Sequence, residues 1–193
     1  SDNATASPNN INNGTSAAWP TLTASSGRFG TDSAYSFNGT TQYISVAQNA
    51  QLTANSLTVS AWIKPNSLPA VGGIYGIVDK RNNLAVDPTP VTGWTLQLYN
   101  NNILGQTVTW NCQAGGFSAP YTVDKTKWTH LTAVQTGTSV KIYANGKLIG
   151  ANAIGCTAAS TDSGLPLLIG TRSGGYYYPG SIADVRVYNR ALN

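Results

Sequence analysis

Apolar residues recur at every second position in short runs, and turn dipeptides separate the runs. Leu57, Val59, Ala61 and Ile63 alternate with Thr58, Ser60 and Trp62, and Pro65 ends the run. Period two is the signature of a strand with one buried face. Ala34 to Phe37 leads into Asn38-Gly39, a pair that accepts the left-handed backbone of a tight hairpin, and Gln42 to Ala47 follows. Further strands are expected at Ile74 to Asp79, Trp94 to Tyr99, Ile103 to Trp110, Trp128 to Gln135 and Val140 to Tyr143. Asn145-Gly146 turns the chain into Lys147 to Gly150, and Pro166 to Ile169 and Ser181 to Tyr188 complete the set. The first thirty residues are irregular, with one short strand expected from Trp19 to Leu22. About ten or eleven short strands, and no helical period long enough to cover a sheet, predict an all-β fold: a two-sheet antiparallel jelly-roll sandwich. The stretches 80–93, 111–127 and 171–180 exceed hairpin length, which marks them as functional or mobile loops.

Composition sharpens this picture. A length of 193 residues suits one domain spanning 1–193. Charged residues make up only 9%, against about 25% in an ordinary domain, so Asn, Thr, Ser and Gln carry the polarity. There is no Glu; the seven acids are Asp2, Asp32, Asp79, Asp87, Asp124, Asp162 and Asp184. Such a chain is a poor helix former and a good strand former. The net charge of +4 reflects few acids, and the bases form no run, so no nucleic acid is expected as partner. No apolar stretch is long enough for membrane insertion by a helix. The chain starts without Met and without a signal-peptide pattern, so it is expected to be a mature secreted protein or a piece of a longer one. Cys112 and Cys156 fit one disulfide or two free thiols. An extracellular setting favours the disulfide, which would close a loop worth about 4 kcal/mol in the chain-entropy model. Asn3, Asn13 and Asn38 head Asn-x-Thr sequons, although Asn38-Gly39 already has a turn to explain it.

Five blocks then resemble one family in order and spacing over residues 33–192. "SAYSFNGTTQYISVA" is similar to the first strand pair of the laminin-G-like, concanavalin A-type jelly rolls, and "LTVSAWIKPNS" to their central strand. "KWTHLTAV" with "VKIYANGKLIG" resembles their Trp-x-His strand and hairpin, while "LLIGTRSGG" and "GSIADVRVYNRAL" resemble the closing strands. "NNGT" at Asn12 to Thr15 fits the lead-in. The resemblance implies an extracellular or cell-surface module binding carbohydrate or protein, often within a larger secreted protein. It places ligand sites on the concave sheet or a loop rim, and implies calcium in several members. Fold alone does not deliver function.

For calcium, the carboxylates available would be Asp2, in the Asn-rich lead-in, and Asp184 on the last strand, where relatives commonly carry an acid at the position of Ala183. The other reading pairs Asp184 with Arg186 or Arg190. Zinc lacks ligands, with one His and two Cys.

Catalysis finds little support. Glycosidic hydrolysis needs two carboxylates across one bond. The hydrolases that share this jelly roll use two Glu flanking an Asp, which this sequence lacks. Asp79 and Asp87 are the nearest acidic pair and sit at a strand end and in a loop. A lyase needs a base with Arg and an amide; Tyr residues, Arg172 and Gln97 supply the types. His130, the single imidazole, lies in an alternating strand and reads as a hydrogen-bonded sheet residue.

Carbohydrate recognition is the best-supported chemistry. Aromatic rings cover the C–H faces of a sugar, and amides, carboxylates and guanidinium groups meet its hydroxyl rim. Five Trp and ten Tyr exceed the needs of a sandwich core. Trp62 and Trp128 lie in the strongest blocks and read as core; Trp94, Tyr35, Phe37, Tyr43, Tyr143 and Tyr188 read as packing. The remaining aromatics, Tyr75, Trp110, Tyr121, Tyr176, Tyr177 and Tyr178, are the candidate ligand-binding residues, with Asp79, Arg81 and Arg172 as polar partners. Lys80, Asn82 and Asn83 lie beside them, and two bases near the tyrosines would suit an anionic glycan. Three consecutive Tyr cannot all face inward, so at least one is expected to be exposed; the other reading has them cap the sandwich end. The expectation is a non-catalytic carbohydrate-binding module for a polysaccharide or glycan. The alternatives are a structural or protein-binding adhesion module and a polysaccharide lyase-like enzyme.

Overall fold

The structure, a computed structural model, describes residues 14–15, 19–24, 26–48, 52, 54–81, 92–112, 115–154, 164–173 and 175–193. Fourteen strands are described and no α-helix accompanies them. They are β1 (Gly14–Thr15), β2 (Thr21–Thr23), β3 (Ala34–Asn38), β4 (Ile44–Val46), β5 (Ser56–Pro65), β6 (Ile74–Arg81) and β7 (Gly93–Asn101). The others are β8 (Gly105–Cys112), β9 (Gly115–Pro120), β10 (Thr129–Thr136), β11 (Ser139–Ala144), β12 (Lys147–Ala153), β13 (Leu167–Ile169) and β14 (Pro179–Tyr188). One sheet runs β1-β4-β13-β6-β7-β8-β9 and the other β12-β11-β10-β5-β14-β3-β2, with every pairing antiparallel. The sandwich expected from the alternating pattern is the fold.

The expected turns are in place. Asn38 closes β3, and its side-chain Oδ1 accepts from the amides of Thr40, Thr41 and Gln42, which fixes the turn through Gly39 (φ 75°). Asn145 (φ 51°) and Gly146 (φ 78°) join β11 to β12 as the type I′ pattern requires.

Between the sheets lies one core. Leu57, Val59, Ala61 and Ile63 of β5 meet Leu96, Leu98, Val108 and Trp110 of the opposite sheet. Trp94 and Trp110 stack with ring centroids 5.3 Å apart, and Trp110 Nε1 donates to Gln135 Oε1 at 2.9 Å, a buried hydrogen bond linking the two sheets.

Several expectations need correction. The stretch 111–127 is not one long loop, because β9 occupies Gly115–Pro120 and pairs with β8. A run opening with two glycines and ending in proline hides its alternation; as an edge strand it tolerates that proline. Trp110 is a core residue with no exposed surface, so it cannot meet a ligand. Trp62 is not core. It falls between Ala61 and Ile63 and therefore projects from the outer face of its sheet, half-buried. Trp128 is also half-buried and outside the core cluster. Cys112 is fully buried at the end of β8, and no described cysteine is free. Cys156, its expected partner, lies outside the described residues, as do Asp2, Asp87, Asn82 and Asn83.

Candidate functional site

The site grows from the connection between β13 and β14. Gly170 (φ 83°) ends β13; its amide donates to Ile77 O, and its carbonyl receives the amide of Tyr178, so the loop closes on itself. Within the loop, the amides of Gly76 and Arg172 both donate to Tyr176 O, at 3.0 and 3.2 Å. That close approach requires glycine at 76. A Cβ there would collide with the backbone of Thr171 and Arg172. The β6–β7 register shifts between Gly76 and Val78, a bulge of the kind that re-aims side chains beside functional sites.

The outer face of this sheet carries polar side chains. Across β6, β7 and β8 the pairs Asp79–Thr95, Gly76–Gln97, Gln97–Thr109 and Thr95–Asn111 place them in rows. Arg172 Nη1 donates to Gln97 Oε1 at 3.4 Å, and its guanidinium carbon lies 5.0 Å from the Tyr176 ring centroid. Ser173 N–H donates to Asp79 Oδ2 at 3.0 Å. Asp79 is wholly buried. Burial raises its carboxyl to about 6, opposed by the Ser173 amide, Thr95, Arg81 and Arg172 in falling order. Its Oδ1 and Arg81 Nε are buried atoms without hydrogen-bond partners. Burial, and then the charge of Arg172, hold Arg81 below the usual guanidinium range, against the pull of Asp79. Such perturbed groups gathered beneath a loop mark a candidate site.

Of the residues singled out from sequence, Asp79, Arg81, Arg172 and Tyr176 converge here. Tyr176 is 41% exposed, and Tyr177 is half-buried with its ring 6.4 Å from that of Tyr43. The remaining aromatics do not join them. Tyr178 is fully buried in the core. Tyr75 is half-buried, its hydroxyl 3.0 Å from Ser67 Oγ and its ring edge-on to Tyr178. Tyr121 is half-buried and packs against the core. Lys80 points inward, with Nζ donating to Leu165 O at 3.1 Å, so it offers no charge to a ligand here. Gln97, named from sequence only as a lyase-type amide, belongs to the cluster; its odd-numbered alternation with Thr95 and Tyr99 is the signal that places it on the outer face.

Asp184 is elsewhere, on the outer face of the second sheet. Its Oδ1 accepts from Arg186 Nε at 2.7 Å, the pairing that stood as the alternative to calcium. Arg28 and Arg186 line the same groove. Among the described residues no three acidic, His or Cys side chains converge.

Comparisons with known proteins agree with this architecture. The family described as the concanavalin A-like lectin/glucanases superfamily matches residues 38–193. Domain 4 of AbnA, an extracellular arabinanase from Geobacillus stearothermophilus solved with arabinotriose, superposes with a TM-score of 0.68 at 20% identity, over 97% of this chain and 87% of that one. The binding domain of Paraclostridial Mosquitocidal Protein 1 gives 0.73 at 18% identity, over 96% of this chain and 46% of the other. A Ruminococcus gnavus sialidase CBM40 bound to sialyllactose gives 0.60 at 16% identity, over 83% and 91%. At these identities the likeness is one of fold. No curated protein sequence matches the chain.

Proposed function

The chain belongs to the concanavalin A-like lectin/glucanase superfamily, and from that premise we propose that it is a non-catalytic, extracellular module that binds a polysaccharide or glycan. The ligand lies against the exposed side of the 170–178 loop, at Tyr176 and Arg172, above the covered outer face of the first sheet. The observation that carries this reading is the convergence of Arg172, Gln97, Asp79 and Tyr176 from three elements far apart in sequence. A half-exposed ring beside a partly exposed guanidinium offers a sugar a flat apolar surface and a fork of donors, while the buried Gln97 and Asp79 hold the loop in place. Relatives of fold whose structures hold arabinotriose and sialyllactose support a glycan as the ligand class. Affinity electrophoresis through gels containing neutral and acidic polysaccharides tests it. Retardation by at least one, lost in Arg172→Ala, is expected; free migration in all of them overturns it.

A second reading has one observation in its favour. Tyr176, Arg172 and Gln97 are the phenol, guanidinium and amide that a polysaccharide lyase uses. Ultraviolet-absorbing unsaturated product released from a uronate polymer would establish it. We expect none, because Gln97 is covered and already accepts from Arg172.

A further inference from the structure

The outer face of the second sheet holds another constellation. Trp62 of β5 stands directly opposite His130 of β10, with ring centroids 4.9 Å apart. The Arg28 guanidinium lies over two rings, 4.3 Å from the Trp62 centroid and 4.0 Å from that of Phe29. Trp62, His130 and Arg28, with Ser60, Thr132, Tyr188 and the Asp184–Arg186 pair, bound a groove of about 260 Å³. The C-terminal segment walls one side, where Leu192 N–H donates to Thr58 Oγ1 at 2.9 Å.

Arg28 is fixed in place by its own turn. Gly27 N–H donates to Asp32 O, Gly30 N–H to Gly27 O and Phe29 N–H to Asp32 Oδ1, and Gly30 takes a left-handed φ of 73°. Gly27 lies so close against the Asp32 carboxylate that a Cβ would not fit. A guanidinium packed against rings still has its N–H fork for an acceptor, the geometry that grips a carboxylate with two parallel bonds. No described carboxylate lies within ion-pair distance of Arg28, since Asp184 is committed to Arg186. Phe29, 69% exposed, packs under the guanidinium outside the groove lining. Asp184 sits at a bulge in β14 with φ 49°, strained backbone of the kind found where a side chain is aimed.

We propose that this groove is a second binding site, for a sugar that carries a carboxylate. The acid group docks on the Arg28 fork, and the sugar hydroxyls meet Ser60, Thr132 and Tyr188. A neutral sugar would leave the fork unused. A bare carboxylate would leave the hydroxyl-bearing side chains unused. The site is independent of the Arg172 cluster, which belongs to the opposite sheet.

His130 reports on it. Burial, then the charge of Arg28, hold its imidazole below the ordinary range, with Asp184 opposing and Arg186 adding to the effect; Tyr143 and Tyr188 also line this wall. A carboxylate on Arg28 offsets that positive charge, so ligand binding should raise the His130 pKa. The chain has one histidine, so its ring proton signals need no assignment.

The test is a proton NMR titration of the full chain with sodium glucuronate, against glucose and sodium acetate at constant ionic strength. Expected are a saturable His130 shift and a raised titration midpoint with glucuronate, none with glucose, and affinity for acetate about tenfold weaker or less. Arg28→Ala should weaken glucuronate about tenfold or more, as loss of a charge-assisted hydrogen-bond pair implies. Arg28→Lys, which keeps the charge and loses the fork, should fall between. The glucuronate shift should persist in Arg172→Ala, which separates this site from the other. No saturable shift, equal affinity for acetate, or undiminished binding by Arg28→Ala and Arg28→Lys would overturn the proposal.

Discussion

Asp79 shows how one buried carboxyl ties stability to pH. Its folded value of about 6 stands above the unfolded value near 3.8. The folded protein therefore holds the proton more tightly, and stability is favoured below pH 4. It declines as pH rises from about 4 to 6, and above that the full cost of a buried charge remains, on the order of 3 kcal/mol. Asp79→Asn removes this cost and keeps an acceptor for the Ser173 amide. Its melting temperature relative to the parent should therefore climb between pH 4 and pH 7 and then level off; a difference that stays flat across that range would refute the assignment. Two tryptophans make the complementary point. Trp110→Ala should cost about 3–5 kcal/mol by denaturant unfolding, from the cavity and from the orphaned Gln135. Trp62→Ala, on the outer face, should cost no more than about 1 kcal/mol. Strand parity already separates them: Trp110 shares its register with Val108, whereas Trp62 alternates against Val59, Ala61 and Ile63. The resemblance pulled Trp62 toward the core, although its alternation with Val59, Ala61 and Ile63 carried the opposite signal.

The strands and the loop differ in how far local sequence determines them. β5, β10 and β14 announce themselves because every second residue is apolar and the turns carry Asn-Gly or Gly. β9 is hidden, since Gly115-Gly116 and Pro120 leave too few side chains to show a period. The 170–178 loop was legible as an unusually long connection rich in Tyr and Gly. Its landing place was not. Contacts such as Ser173 to Asp79 and Arg172 to Gln97 span 94 and 75 residues, beyond what any short window encodes. Gly76 is the element-level control on that docking. Gly76→Ala should push the loop outward, weaken polysaccharide binding several-fold and leave the strand signal in circular dichroism unchanged. Binding equal to that of the parent would show that loop placement does not govern the site.

For the molecule as a whole, the two sheets offer two different outer surfaces. The first is covered by a loop that carries Tyr176 and Arg172; the second presents an Arg–Trp–His groove beside the C-terminal segment. The sequence lacks Glu, so the two-Glu hydrolase pattern of this jelly roll is missing from it. Composition could not say which aromatics stay outside, because burial depends on which face each strand turns inward once both sheets close. Retention of the protein in polysaccharide-loaded native gels decides the matter, run alongside Arg172→Ala with its melting temperature checked. Slowed migration in the parent with normal migration of an equally stable variant is the predicted outcome. Identical migration of the two in every polysaccharide would contradict a glycan site built on Arg172.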